Sequence, residues 1–140
     1  MAFEHCLNLE LRKSARLITQ FYESHLSELG LKVGQFSILR AVCLCKQTTN
    51  KELQRILVLD QTTLSRNLKP LIRDELLTLS VDQNDHRIKL ISLSDKGRKT
   101  YKTALPLWQA AQKEISDKLG EPYVKHISTL TDRLLETLNP

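Results

Sequence analysis

The sequence predicts a mainly α-helical fold that contains one small β-hairpin, and three observations support this class. Two helix start signals stand close together, at Thr49 and Asp60, and each opens a short amphipathic segment. Two short strand-like runs with a polar tip between them follow directly. Long apolar stripes at three- and four-residue steps occupy both ends of the chain, which indicates longer helices there.

The segment from Thr49 to Asp74 predicts two short helices joined by a tight turn. Thr49 followed by Glu52 matches a capping box, and Asp60 suits the N-cap of the second helix. The apolar positions of each segment fall on one helical face, which we expect to be buried. These positions are Leu53, Ile56 and Leu57 in the first helix and Leu64, Leu68, Leu71 and Ile72 in the second.

The other face of the second helix is polar at its start and cationic further along. No acidic residue lies between Asp60 and Asp74. A DNA recognition helix needs this arrangement, because its first residues reach base edges in the major groove while Lys and Arg neutralise phosphates. The alternative is a solvated surface helix with a few basic residues. The side chains of this face are Gln61, Thr62, Ser65, Arg66, Lys69 and Arg73.

The two strand-like runs predict a wing beside the helix pair. Leu77, Leu79 and Val81 alternate with polar residues, and residues 88–93 form a second, β-branched run. In the polar tip between them we expect Arg87 to enter a minor groove or to contact phosphate. The alternative is a plain exposed turn residue. We expect Asp82 and Asp85 in the same tip to brace nearby basic side chains.

Long helices at the two ends predict a helical dimerisation region around a winged helix-turn-helix. The first runs from about Phe3 to Leu29, and lying along its own core is the alternative to forming a dimer. Ser94 caps a later helix, in which Pro106 predicts a kink. A final amphipathic helix begins near Tyr123. We expect one domain over 1–140, with dimerisation helices at about 1–30 and 100–140 and the winged helix at about 34–99.

Composition excludes several classes of protein. The 140 residues carry a net charge of +5, which suits a polyanionic partner. No apolar run reaches the length of a membrane span, and three cysteines without framework spacing favour a reducing compartment, so we expect the cytoplasm. The four histidines show no metal spacing, and no catalytic constellation is present, so we expect neither a cofactor nor an enzyme.

Several strings, in this order, resemble the MarR family of winged helix regulators over nearly the whole chain. Their order and spacing are more specific than any one of them. The strings are Gly34–Arg40, Asp60–Leu71, Asp85–Arg87, Leu93–Gly97 and Pro106–Gln112.

The resemblance implies a homodimer whose first, fifth and sixth helices interlock and which represses at a near-palindromic operator on double-stranded DNA. A small-molecule effector or thiol oxidation would relieve repression. The sequence departs from the family pattern at two positions. The family commonly has Gly where Glu75 stands, so we expect that turn to close differently. Wing tips of the family often carry adjacent arginines, and here one of these is replaced by His86. The DNA-contact residues expected are Gln61, Thr62, Thr63, Ser65, Arg66, Lys69, Arg73, His86, Arg87 and Lys89.

Two further kinds of site are considered. An effector pocket would lie where the dimer helices meet the winged helix, lined by Tyr22, Phe36, Arg40 and Trp108, although all but Arg40 could be simple core residues. Cys6 is a candidate redox sensor, because the peroxide-sensing branch of the family has a reactive cysteine in its first helix. Cys43 is expected to act as a small buried hydrophobe that does not bond to Cys45.

The sequence thus predicts a dimeric, sequence-specific DNA-binding regulator, with repression as its mode of action. The main alternative is a winged helix that serves as a protein-interaction module for an acidic partner. A small-molecule binding protein that never touches DNA is a third possibility. The acid-free, cationic face of Gln61–Arg73 argues against the protein-interaction module, whereas the third possibility would show ligand affinity and no salt-dependent retention of DNA.

Overall fold

The computed structural model describes residues 4–138, and it is mainly helical with a two-stranded antiparallel wing, as predicted. The expected helix start at Phe3 lies outside the described residues. In chain order the elements are α1 (Leu7–Leu26), a 3₁₀ turn (Ser27–Leu29), α2 (Val33–Cys45), α3 (Asn50–Leu57), α4 (Gln61–Arg73), β1 (Leu77–Val81), β2 (Lys89–Leu93), α5 (Asp95–Leu119) and α6 (Glu121–Leu138).

The core lies around α2, which packs against α1, α3, α4, α5 and β2. Leu26 is the single buried residue of α1, and within Glu121–Leu138 no side chain is fully buried. The predicted buried faces of α3 and α4 hold except at their edges, where Ile56 and Ile72 remain 39% and 40% exposed. The largest fully buried side chains are Phe36, Leu26, Ile38, Leu39, Leu53, Leu64, Leu71 and Val42.

The wing is a hairpin whose register runs from the Leu77–Leu93 pair to the Val81–Lys89 pair. A third segment, which the sequence did not predict, joins it through Thr48. The Thr48 amide donates to the Ile91 carbonyl at 2.9 Å and the Ile91 amide donates to the Thr48 carbonyl at 2.8 Å. Because Thr48 comes just before α3, this bridge ties the start of α3 to the middle of β2.

The end of α4 is bonded to the start of α5, a connection that we call the α4–α5 joint. The Ser94 hydroxyl donates to the Glu75 carbonyl at 2.6 Å, and the Ser94 amide donates to the Leu76 carbonyl at 3.1 Å. Lys96 donates through Nζ to the Asp74 carbonyl at 2.9 Å. Three hydrogen bonds therefore connect residues 74–76 to the first turn of α5, and they satisfy carbonyls that a helix end otherwise leaves free.

Gly97 makes the α4–α5 joint sterically possible. A Cβ atom at this position would overlap the Leu76 carbonyl oxygen, and that atom is backbone and cannot rotate away. The Gly97 amide also donates to the Ser94 hydroxyl at 2.9 Å, which caps α5 as predicted. The glycine thus permits close contact of two backbones, a role distinct from turn formation.

Glu75 takes the backbone conformation that favours glycine, with φ of 59°. Its amide donates to the Ile72 carbonyl and the Leu76 amide donates to the Leu71 carbonyl, at 3.0 and 2.9 Å, so α4 ends in a left-handed turn. The expectation that this turn closes differently without glycine is wrong. The chain keeps the left-handed turn and carries the strain of a Cβ atom in it.

Replacing Glu75 by Gly should raise the free energy of unfolding by about 0.5–1 kcal/mol, because the strain of the left-handed residue exceeds the added freedom of the unfolded chain. Denaturant unfolding measures the difference. Glu75→Ala is the matched control, because it removes the same side chain but keeps Cβ, and it should give no gain. A glycine variant less stable than the wild type would contradict the strain.

Candidate nucleic-acid interface

The start of α4 is set by Asp60, as predicted. Its Oδ1 accepts the Thr63 amide at 2.7 Å, and this hydrogen bond is the main cause that lowers the pKa of the Asp60 carboxyl. Leu64, Leu68 and Leu71 are buried on the inner side of the helix. Capping fixes where the helix begins and the leucines fix its rotation, so together they determine which side chains point outwards.

The outward side chains of α4 line an open depression of about 410 Å³, which we call the α4 face. Arg66 and Lys69 both lie on it, and neither forms an ion pair within residues 4–138. The lining consists of Gln61, Thr62, Ser65, Arg66 and Lys69. Five of the predicted contact residues are therefore brought together on one surface.

Two predicted contact residues of α4 stand apart from this surface. Thr63 is half-buried, and its carbonyl accepts the Asn67 side chain at 3.1 Å. Arg73 lies at the helix end, where its guanidinium donates to the Asp74 carboxylate at 3.1 and 3.4 Å. This pairing lowers the pKa of Asp74. Arg73 is thus already engaged by a carboxylate, unlike Arg66 and Lys69.

The wing tip presents Arg87, whose side chain is 91% exposed. Its guanidinium donates two hydrogen bonds to Asp85, at 3.1 and 3.2 Å, and these lower the pKa of the Asp85 carboxyl. Asp85 therefore braces a basic side chain as predicted. The same prediction is wrong for Asp82, which instead accepts the backbone amides of Asn84 and Asp85 at 2.7 and 3.3 Å and shapes the turn. His86 is exposed.

Two more depressions connect the α4 face to the wing. One, of about 240 Å³, is lined by Asn50, Ser65, Leu68, Lys69, Ile72, Leu79, Lys89 and Ile91. The next, of about 410 Å³, is lined by Thr49, Asn50, Lys51, Arg87, Ile88 and Lys89. The first shares Ser65 and Lys69 with the α4 face and shares Asn50 and Lys89 with the second. The three form one continuous surface, which we call the basic trough.

Two residues of the basic trough, Asn50 and Lys51, were not singled out from the sequence. The signal that could have found them is their position, because both follow the Thr49 cap and lie outside the apolar spacing of α3. No lining residue of the trough is acidic. Glu52 is turned towards Arg55, with oxygen–nitrogen distances of 2.5 and 3.2 Å, and this pair lowers the pKa of Glu52.

The Glu52–Arg55 pair also corrects the predicted capping box. Thr49 does accept the Glu52 amide at 3.2 Å, so the first half of the box is present. The Glu52 carboxylate does not reach back to the cap, because both of its oxygens face Arg55 one helical turn ahead.

Three of the four predicted effector-pocket residues lie together. Phe36 stacks on Tyr101 and on Trp108, with ring centroids 5.6 and 5.5 Å apart, and Arg40 places Cζ 5.0 Å from the centre of the Trp108 ring. Phe36 is 1% exposed. Tyr22 is not part of this stack, and its hydroxyl donates a hydrogen bond to the Gln112 side chain on α5. Burial raises the pKa of Tyr22 and is the main cause that raises the pKa of Tyr101.

The three cysteines are free in the structure. Cys43 packs half-buried against the core, while Cys6 and Cys45 are exposed. Cys6 precedes α1 directly and has no side-chain capping bond. Within residues 4–138 no cluster of three potential metal ligands occurs. None of the helices in this range combines the length and the hydropathy of a membrane span.

Asp60→Asn should make the stability of the protein less dependent on acid. Since the folded-state pKa of Asp60 is lowered, its contribution is present above the unfolded value of about 3.9 and is lost as pH falls through the folded value. Asn also caps helices well but does not titrate there. Denaturant unfolding measures the free energy of unfolding of both proteins from pH 5 down to pH 2. If the two free energies fall in parallel, the lowered pKa of Asp60 does not contribute to stability.

Comparison with known proteins places the chain in a family. The family model described as transcriptional regulator SarA/Rot matches residues 20–104. An uncharacterised HTH-type transcriptional regulator of Staphylococcus aureus strain Mu50 is 27% identical over 117 residues, which cover 84% of this chain and 75% of that protein.

Solved structures show the same fold. The Mycobacterium tuberculosis transcriptional regulator MosR, crystallised with DNA, is 32% identical with a TM-score of 0.83, and the match covers 97% of this chain and 100% of that one. A mutant of Escherichia coli MarR complexed with operator DNA is 22% identical with a TM-score of 0.81, over 92% of this chain and 93% of that one. The chain belongs to the SarA/Rot family of transcriptional regulators and is a DNA-binding regulator with the winged helix-turn-helix fold of MarR.

Proposed function

We propose that the protein is a dimeric, sequence-specific repressor that inserts one α4 into the major groove of each half of a near-palindromic operator. The observation that carries this proposal is the α4 face, which is exposed, has no acidic lining residue and holds two cations without ion-pair partners within residues 4–138. Such a surface attracts a polyanion and offers donors to base edges.

The roles within the α4 face follow from position along the helix. Gln61, Thr62 and Ser65, near the N-terminus, would contact base edges, since that end of a recognition helix enters the groove. Arg66 is suited to bidentate hydrogen bonds with guanine O6 and N7, and Lys69, one turn further on, to a phosphate. The leucines on the inner side support this assignment because they hold the helix in one rotation.

The wing would reach the adjacent minor groove through Arg87. Its pairing with Asp85 holds the guanidinium in one orientation at the tip, while 91% of the side chain stays open to a ligand. The negative potential of a narrow minor groove favours Arg there. His86 lies beside Arg87 in the tip and is exposed.

The dimer would form through α1, α5 and α6. Between these helices lies an apolar groove of about 630 Å³, lined by Leu11, Ser14, Ala15, Leu17, Ile18, Phe21, Ile115, Leu119, Ile127, Leu130, Thr131 and Leu134. Leu17 and Ile127 are 69% and 49% exposed in one chain. Uncovered apolar surface of this extent marks an interaction site, and a second copy would cover it with the two-fold symmetry that a palindromic operator requires.

Control of repression is assigned to the junction of the dimer helices with the winged helix. There the Arg40 guanidinium lies over the Trp108 ring, and Trp108 in turn stacks on Phe36. A small aromatic or anionic ligand that displaces Arg40 would shift α2 against α5. Oxidation of the exposed Cys6 is a second candidate route. We place the protein in the cytoplasm, where a regulator of this kind has access to chromosomal DNA.

Selection of operator sequences from random duplex DNA tests the proposed function directly. The protein should enrich a near-palindrome whose half-sites lie about one helical turn apart. Binding to the enriched duplex should weaken steeply as salt rises, because phosphate contacts release counterions. Absence of any enriched sequence, together with DNA binding that salt does not affect, would exclude the proposal.

The substitutions Arg66→Ala and Lys69→Ala should change DNA binding in different ways. Arg66→Ala should cost about 1–3 kcal/mol for each half-site of the selected duplex and relax the preference at one base pair in each half-site, whereas Lys69→Ala should weaken binding to all duplexes by a similar factor. Gel shifts on the selected and a scrambled duplex measure both effects. Unchanged binding by Arg66→Ala would show that α4 does not read bases as assigned.

Leu17→Gln should raise the dimer dissociation constant by at least about tenfold, because each symmetric interface loses two buried leucine side chains. Leu44→Gln is the matched control, since Leu44 is 66% exposed on α2 and does not line the groove. Sedimentation equilibrium measures the constants. Equal effects of the two substitutions, or no effect of either, would mean that the groove is not the dimer contact.

A further inference from the structure

We propose that the start of α3 and the start of β2 form a binding site for one DNA phosphate, with Asn50, Lys51 and Lys89 as its ligands. The site would hold the backbone strand that separates the major groove read by α4 from the minor groove entered by the wing. This inference rests on the proposed function and adds to it two positioning residues, Asn50 and Lys51.

The place of these residues in the basic trough is the first argument. Asn50 and Lys89 line both depressions that lie between the α4 face and the wing, so they occupy the middle of the surface. A protein that touches a major groove on one side and the adjacent minor groove on the other must cross the sugar-phosphate strand between them. The middle of the trough is the part of the protein that faces that strand.

The charges of the site are the second argument. Lys51, Lys89 and Arg87 line the outer depression, whose volume of about 410 Å³ is ample for a phosphate group, and no acidic side chain lines it. Lys51 and Lys89 have no ion-pair partner within residues 4–138. The nearest acid of α3, Glu52, is held by Arg55. The two lysines therefore keep their charge available for an anion.

The rigidity of the site is the third argument. Lys51 and Lys89 stand on different elements, and the pair of hydrogen bonds between Thr48 and Ile91 ties those elements together two residues from Asn50 and two from Lys89. Thr48 is 5% exposed, so this connection is shielded from water. A site whose two sides are already bonded to each other loses little conformational freedom when it binds a phosphate.

Lys51→Gln tests the site on two duplexes, the one selected from random DNA and a scrambled duplex of equal length. A phosphate ligand carries no sequence information, so both affinities should fall by a similar factor, about fivefold at 0.15 M salt. The slope of log affinity against log salt should become shallower by about 1.8, because the proposed dimer carries two copies of the site and each copy loses one phosphate contact. Asn50→Ala should weaken both duplexes without changing the slope, because it removes a neutral hydrogen bond. Thermal unfolding of each variant verifies that it is folded.

Lys125→Gln is the matched control, because Lys125 is an exposed lysine on α6, which packs chiefly on α5 and lies away from the basic trough. It should leave affinity and slope unchanged. If Lys51→Gln behaves like Lys125→Gln while Arg66→Ala still weakens the selected duplex, the phosphate site is wrong and the proposed function stands. If the wild type itself shows no salt-dependent binding to either duplex, both are wrong.

Uncharged methylphosphonate groups, placed one at a time along the selected duplex, locate the contact. One methylphosphonate position should weaken DNA binding by the wild type but not DNA binding by Lys51→Gln, and that position marks the phosphate that Lys51 touches. It should lie on the strand between the base pairs assigned to Arg66 and the minor groove assigned to Arg87. A coupled position elsewhere, or no coupled position, overturns the assignment.

Discussion

The α4–α5 joint holds the end of the DNA-facing helix directly against the start of the long helix α5. Three hydrogen bonds link residues 74–76 to Ser94 and Lys96, and the absence of a Cβ atom at Gly97 lets the two backbones approach. The α4 face extends from one side of this joint, and the apolar groove of α5 from the other. A change in the angle of α5 would therefore act on the end of α4 at this joint, where one backbone hydrogen bond, two side-chain hydrogen bonds and the close approach of Gly97 to Leu76 hold the two segments together.

The wing is attached to the helix pair by the chain connection after Leu76 and by the bridge between Thr48 and Ile91. β1 follows Leu76 directly, and Thr48 bonds β2 to the start of α3, so the hairpin is attached to the helix pair at both of its edges. Because α3 and β2 are bonded to each other, the depressions between α3, α4 and β2 share lining residues, and the basic trough is continuous. A rigid trough can contact grooves and backbone in one register, which specific reading requires.

Most features that depend on neighbours in sequence were predictable, with exceptions at two helix ends, and features that depend on distant segments were not. Asp60 and Ser94 cap their helices as their types suggest, and the strands appear where the alternation does. The capping box failed because Arg55 competes for Glu52, and the left-handed Val58 that ends α3, with φ of 53°, contradicts the usual preference of a β-branched residue. The Thr48 bridge and the basic trough arise from long-range packing, which no local pattern encodes.

The distribution of burial separates two parts of the molecule that draw their stability from different sources. The winged helix has its own core, whereas α6 buries no side chain fully and α1 buries one. In the proposed dimer, the outer helices would gain most of their burial from the partner, so their order would depend on protein concentration. DNA that holds two copies side by side would favour the same association. A ligand at Arg40 and Trp108, where α2 meets α5, would act between these two parts and could uncouple them without touching DNA.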